Sequence, residues 1–247
     1  MSEQRTMKRL GMAALASLSI GLATPVYALS DYGDVVATWL GNNQTGRPAP
    51  AENGGVFAFR RDNANSADDF AGVLVTNTPV NRFIGVCIEI GENMSTAQTV
   101  FTVRDLADAP IDSIASMGAM RAEDAAKLVT LAFNGKLANA LLPAYNANVL
   151  PFQIALWEIT QDRVTTRGEY NLSAGGYRHA ANTIATGWLN TLNGVNSIVM
   201  ATGLYALTHP DRQDQLVQVV PIPPAAWLLG SGLLGLFVVA RRKTTAA

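Results

Sequence analysis

The segment AEDAAKLVTLAF, residues 122–133, decides the fold class. Its apolar side chains recur at spacings of three and four residues, which predicts an amphipathic helix. Two further segments downstream, residues 152–159 and 177–192, also have helical character. In the second of these, one stripe is formed by Ala180, Ile184, Trp188 and Leu192. The middle of the chain is therefore predicted to be helical.

Stretches with the composition of β-strands lie on both sides of these helices. They are residues 35–40, 55–59, 72–76, 82–90 and 99–104 before the helices, and residues 197–207 and 216–220 after them. Residues 42–53 are rich in Asn, Gly and Pro and predict a loop. We expect one α+β domain over residues 29–219, with a mixed or antiparallel sheet and a helical insertion between Cys87 and the final strands.

The charge of this domain limits its partners. Residues 29–220 carry 12 basic and 18 acidic side chains, a net charge of −6. An acidic domain without a basic stripe is poorly suited to a phosphate backbone, so nucleic acid is not expected as a partner.

The only cysteine of the chain, Cys87, lies in the sequence GVCIEI, residues 85–90. A single cysteine cannot form an internal disulfide. Two ordinary interpretations are open. The thiol is a small buried hydrophobe between Val86 and Ile88, or it forms a disulfide with a second molecule.

A second motif, FQIALWE at residues 152–158, gives a third interpretation. Together, the apolar-Cys-apolar-acid strand and the apolar-Gln-x-x-apolar-Trp helix resemble the internal thioester domains of bacterial surface adhesins. The resemblance implies that the sulfur of Cys87 condenses with the side chain of Gln153 and releases ammonia. A partner amine or hydroxyl would then attack the carbonyl and remain covalently attached to Gln153.

The expected position of Gln153 is compatible with this chemistry. If Pro151 begins the helix, Gln153 lies in the first turn, where unpaired N–H groups favour negative charge. Such a site is expected to lower the pKa of an approaching thiol. Trp157, four residues after Gln153, is expected on the same helix face, where it would shield the bond from water.

Other polar residues give weaker signals. Glu89 and Glu158 closely follow the two motifs, and either shuttle protons across the site or are ordinary surface acids. The two histidines lack the spacing of a zinc site, and His179 is expected on a helix surface. Three acids lack the spacing of a calcium loop and predict a solvated turn: Asp62, Asp68 and Asp69. No metal ion or cofactor is expected.

The N-terminus has the pattern of a secretory signal peptide. Arg5, Lys8 and Arg9 precede an apolar run over residues 10–23, and VYA at residues 26–28 offers small residues for cleavage. We expect a signal peptidase to remove residues 1–28, which places the mature chain outside the cytoplasm.

Near the C-terminus, VPIPP at residues 220–224 leads into an uncharged stretch that ends before Arg241-Arg242-Lys243. A transmembrane helix is predicted over residues 224–240, with the basic cluster on the cytoplasmic side. Residues 220–247 resemble a PEP-CTERM sorting tail of the VPLPA type. The proposed sorting motif is Val220, Pro221, Ile222 and Pro223, although Ile222 replaces the usual Glu and Pro224 the usual Ala.

The resemblance implies an exosortase that removes the helix and delivers the protein from the inner membrane to the cell surface or an exopolysaccharide matrix. The expected function is therefore adhesive or structural rather than enzymatic, with an extracellular polysaccharide or a surface protein as partner. Two alternatives remain: a secreted enzyme acting on polysaccharide, and a non-covalent carbohydrate-binding module. The first needs converging acids, and no paired-carboxylate pattern is present.

Overall fold

The computed structural model describes residues 32–40, 56–62, 82–111, 115–162, 168–194 and 197–219. The predicted signal peptide, sorting tail and transmembrane helix lie outside these ranges, as do the strand predicted at 72–76 and the loop predicted at 42–53. Among the helices that are described, none combines the length and the apolar character needed to cross a membrane.

Six antiparallel strands form a closed barrel, in the order β1-β2-β3-β6-β5-β4. Closure comes from β1, which pairs with β2 on one side and with β4 on the other. The strands are β1 Asp34–Trp39, β2 Val56–Arg61, β3 Arg82–Cys87, β4 Thr99–Asp105, β5 Leu204–His209 and β6 Arg212–Gln218. The prediction of an α+β fold is confirmed. Of the two sheet types predicted, mixed or antiparallel, the structure has the antiparallel one, and the closure of the sheet was not predicted.

Alternate residues of the strands fill the inside of the barrel. In β1, Val35 and Ala37 are buried while their neighbours are partly exposed, because successive side chains of a strand point to opposite faces. Aromatic rings occupy the centre, where Phe59 stacks on Phe83 with ring centroids 5.1 Å apart. This inner core also contains Phe101, Val103, Leu207 and Val217.

The second core lies between the outer face of the barrel and the helices. Ile84, Val86 and Ile88 from the region of β3 pack there with Leu216 of β6. Because β3 is buried on both faces, its sequence is a continuous apolar run rather than an alternation.

Three helices cover this outer face: α1 Gly118–Phe133, α2 Val149–Gln161 and α3 Thr183–Gly194. They lie between β4 and β5 in the chain, as the predicted insertion requires. Every residue of α2 from 151 to 160 is buried. A helix buried on all sides is apolar all round, and α2 accordingly packs against both α1 and α3.

Several element boundaries differ from the predictions. The third helix begins at Thr183 rather than residue 177, because the side chain of Asn182 accepts the N–H of Ala185 and caps the first turn. Strand β5 begins at Leu204 instead of residue 197, and β6 begins at Arg212 instead of residue 216. The polar start of β6 is a strand because it pairs with β5 in a hairpin.

Candidate functional site

The two motifs singled out in the sequence meet at one end of the barrel. Cys87 is the last residue of β3. The neighbouring strand β2 begins at Val56, which pairs with Val86. The carbonyl of Cys87 therefore lies one residue past the start of β2. The side-chain amide of Gln153 on α2 donates to this carbonyl over 2.7 Å. Cys87 and Gln153 are both fully buried. The structure thus brings together residues that are 66 positions apart.

A second glutamine of α2 makes a similar contact. The amide of Gln161, two turns after Gln153, donates to the carbonyl of Ile88 over 3.0 Å. Buried carbonyl groups need a donor, and these two follow the end of β3. Gln153 and Gln161 therefore attach α2 to the main chain of the barrel at two consecutive residues.

The sulfur of Cys87 makes its hydrogen bonds with β6. The thiol donates to Oε1 of Gln213 over 2.8 Å, and Nε2 of Gln215 donates to the sulfur over 3.5 Å. Gln213 is itself anchored, because its Nε2 donates to the carbonyl of Glu89 over 2.7 Å. Sequence reasoning missed both residues, since RQDQ at 212–215 resembles a surface turn. The alternation of Gln213 and Gln215 was the available signal.

The thiol of Cys87 is not activated as the sequence argument predicted. Burial raises its pKa to about 12, and the nearby charge of Glu89 adds to that effect. The predicted lowering was wrong because α2 begins at Val149, which makes Pro151 its third residue and Gln153 its fifth. Gln153 therefore lies beyond the four N–H groups that a helix start leaves unpaired. At neutral pH the sulfur is a neutral thiol.

The two acids next to the motifs are buried, so the interpretation as surface acids was wrong. Glu89 accepts the N–H of Asp214 over 3.2 Å, whereas Glu158 accepts the N–H of Asn171 over 2.6 Å. These hydrogen bonds direct the two carboxyl groups to different parts of the fold.

Burial also changes the acidity of this region. It raises the pKa of Glu158 to about 7 and that of Asp214 to about 8, where the charge of Glu89 contributes further. Both carboxyl groups therefore bind a proton far more readily than an exposed acid does.

Residues 168–182, here termed the cover segment, pack over the C-terminal half of α2. Besides the bond from Asn171 to Glu158, the N–H of Gly176 donates to Asp162 over 2.8 Å. Gly175 has a φ of +91°, and a Cβ there would overlap the Asp162 carboxylate, so only glycine fits. These contacts hold the segment against the helix.

Trp157 lies under the cover segment with 8 % of its surface exposed. Its ring contacts that of Tyr177 edge-on, with centroids 6.2 Å apart, and Tyr177 in turn packs near His179. His179 belongs to the cover segment and precedes α3, so its predicted position on a helix was wrong.

The remaining sequence candidates form no metal centre within the part of the chain that the structure describes. Among those residues no group of three or more His, Cys, Asp or Glu could hold a metal ion. Asp62 binds Arg60 and Thr38 on the barrel surface, while Asp68 and Asp69 lie outside the described ranges.

Three comparisons with known proteins found no match to this chain. No protein-family model matches the chain. Curated proteins give no match, and solved structures give none either.

Proposed function

We propose that this chain is an exported surface or matrix protein whose domain carries an internal thioester between Cys87 and Gln153. The observation that carries the proposal is the 2.7 Å hydrogen bond from the Gln153 amide to the main chain of Cys87. It holds the Gln153 side chain against the backbone of Cys87 in a site without exposed surface, whereas the Cys87 sulfur bonds to Gln213 and Gln215 of β6. The sulfur must turn towards α2 to meet the acyl carbon, because Val86 and Ile88 pack on the helical face and Cys87 between them faces the inside of the barrel.

The bond-forming step balances without a co-reactant. The sulfur attacks the side-chain carbonyl carbon of Gln153, the carbon–nitrogen bond breaks, and the thiol proton leaves with the amide nitrogen as ammonia. To react, the thiol must exchange its hydrogen bond with Gln213 for the Gln153 carbon. Because the pKa of about 12 keeps the thiolate scarce, we expect the bond to form slowly and to resist hydrolysis once buried.

A partner would reach the bond by displacing the segment that covers α2. An amine or hydroxyl attacks the acyl carbon, remains on Gln153 and returns the proton to Cys87. Gln213 can then accept a hydrogen bond from the regenerated thiol again. The product is a lasting covalent adduct, so the domain acts once rather than by turnover.

Intact mass spectrometry of the isolated protein tests this proposal. The expected mass is one ammonia below that of the sequence, and methylamine should add to Gln153 and expose one thiol. Cys87→Ala and Gln153→Ala should each abolish the loss. Gln161→Ala is the matched control and should keep it, because Gln161 contacts Ile88 rather than Cys87. A full mass with one thiol titratable after denaturation would rule the thioester out.

A second candidate, a permanently reduced structural thiol, is favoured by one specific contact. The 2.8 Å bond to Gln213 and the second contact with Gln215 satisfy the sulfur without any acyl partner. In that case Gln153 serves only to attach α2 to β3. The same mass measurement separates the two candidates.

The proposed location depends on the two ends of the chain. We infer that a signal peptidase acts after Ala28 and that an exosortase acts at Val220–Pro223, leaving the domain at the cell surface or in the matrix. Sequencing the N-terminus of the protein recovered from each cell fraction tests this. A cytoplasmic product that still begins at Met1 would contradict it.

A further inference from the structure

One pocket on the helical side has the chemistry of a ligand site and is independent of Cys87. It has a volume of about 680 Å³ and lies between the cover segment and α3. Sites for small molecules commonly measure about 300–1,000 Å³. We propose that this pocket binds a neutral, hydroxyl-rich saccharide without forming a covalent bond, which goes beyond the proposed function.

The floor of the pocket is apolar and firmly held. Tyr170, Leu172 and Leu189 line it and are 3 %, 6 % and 1 % exposed. A sugar ring offers its C–H face to such a surface, and its transfer from water is favourable. The floor thus matches one side of a saccharide.

The rim consists of groups that both donate and accept hydrogen bonds. Around the floor lie Asn171, Ser173, His179, Thr186 and Asn190. Side-chain amides, hydroxyls and imidazole match sugar hydroxyls, which also do both. This rim therefore matches the polar edge of the same ligand.

Charge in the lining argues against other ligands. Among the described residues of the lining, Glu169 is the one acid and none is Lys or Arg. A phosphate or sulfate group would meet no permanently charged donor among these described residues, and an acidic sugar would face the Glu169 carboxylate. The ligand class is therefore a neutral saccharide rather than an anion.

The pocket is organised before any ligand arrives. The hydroxyl of Tyr170 donates to Asp124 over 3.0 Å, and Asp124 also pairs with Lys127 in a buried salt bridge. Asn193 bridges both main-chain groups of Tyr170, at 3.2 and 3.0 Å. Rigid positioning of this kind reduces the entropy that binding must overcome.

Binding of small saccharides to the full chain carrying Cys87→Ala tests the proposal apart from the thioester. Saturation-transfer NMR would use neutral disaccharides, with a sulfated disaccharide and a short peptide for comparison. We expect a neutral disaccharide to bind, and Asn190→Ala and Ser173→Ala each to weaken binding about fivefold to tenfold, the effect of one lost hydrogen bond.

Thr191→Ala is the matched control, because Thr191 is the next residue on α3 and does not line the pocket. It should leave the affinity within about twofold. Three results would overturn the proposal: no saccharide binds, the sulfated sugar or the peptide binds more tightly, or neither Asn190→Ala nor Ser173→Ala lowers the affinity. Since Cys87 is absent from this protein, none of these outcomes depends on the thioester.

Discussion

The barrel side and the helical side of the Cys87–Gln153 junction satisfy their buried polar groups differently. On the barrel side, the Cys87 sulfur bonds to Gln213, and the two oxygens of Asp214 accept the N–H groups of Ile111 and His209. On the helical side, the indole nitrogen of Trp157 and one oxygen of Glu158 are buried without a hydrogen-bond partner among the described residues.

This difference indicates where the domain opens most easily. A buried polar atom without a partner destabilises the folded state by roughly 1–3 kcal/mol. Trp157 and Glu158 both recover their contact with water when the cover segment lifts. We therefore expect local opening over α2 to precede opening on the barrel side of the junction.

The largest expected effect comes from removing the attachment of α2 to Cys87. In a Cys87→Ala background, which excludes any thioester, Gln153→Leu should lower the free energy of unfolding by about 2–4 kcal/mol, because it removes the Gln153 donor from a buried carbonyl and places an apolar side chain there. Gln161→Leu should lower it by less than about 1 kcal/mol, since Gln161 is only half-buried. Urea unfolding measures both, and equal losses would contradict the proposed attachment.

Asp214→Asn should have the next largest effect. At pH 6 Asp214 is mostly protonated, but both oxygens of its carboxyl group still carry lone pairs. Asparagine has one acceptor oxygen, so its NH₂ group would face the N–H of Ile111 or His209. We expect a loss of about 2 kcal/mol in the free energy of unfolding at pH 6. A stability equal to wild type would mean that this carboxyl group is not locked in place.

Glu158→Gln should produce the smallest change, and its sign should depend on pH. Burial raises the pKa of Glu158 from 4.5 to about 7, so the native state holds its proton more tightly than the unfolded chain does. Its contribution to stability is therefore complete below pH 4.5 and is lost as the pH rises through 7.

Above that range the glutamine variant should be the more stable protein, by about 1–2 kcal/mol at pH 8.5, whereas near pH 4 the two should differ little. Thermal or urea unfolding at both pH values measures the difference. A difference that stays constant with pH would show that Glu158 is hydrated and that the helical side has no such weakness.

The sequence predicted the helical side better than the barrel. Regular apolar spacing is local information, and it placed α1 and α2 correctly apart from their ends. The start of α2 was missed because a short 3₁₀ helix over Pro143–Asn148 runs directly into Val149. Proline is tolerated as the third residue because N–H groups in the first turn have no partner to lose.

Barrel closure depends on pairings between distant residues, which local patterns do not specify. Cys87 pairs with Gln215 across β3 and β6, and the two strands are separated by the whole helical insertion. Without that register, Gln213 and Gln215 could not be recognised as neighbours of the sulfur. The sequence thus indicated one glutamine near Cys87, and the fold adds two.

The order of these partners along the chain has a consequence for biosynthesis. Cys87 is made before Gln153, and its sulfur partner Gln213 follows 126 residues later. During vectorial synthesis the thiol thus lacks these hydrogen bonds until β6 docks. A polypeptide that ends before β6 would keep that thiol accessible to oxidants. The oxidation state of Cys87 would therefore distinguish complete chains from truncated ones.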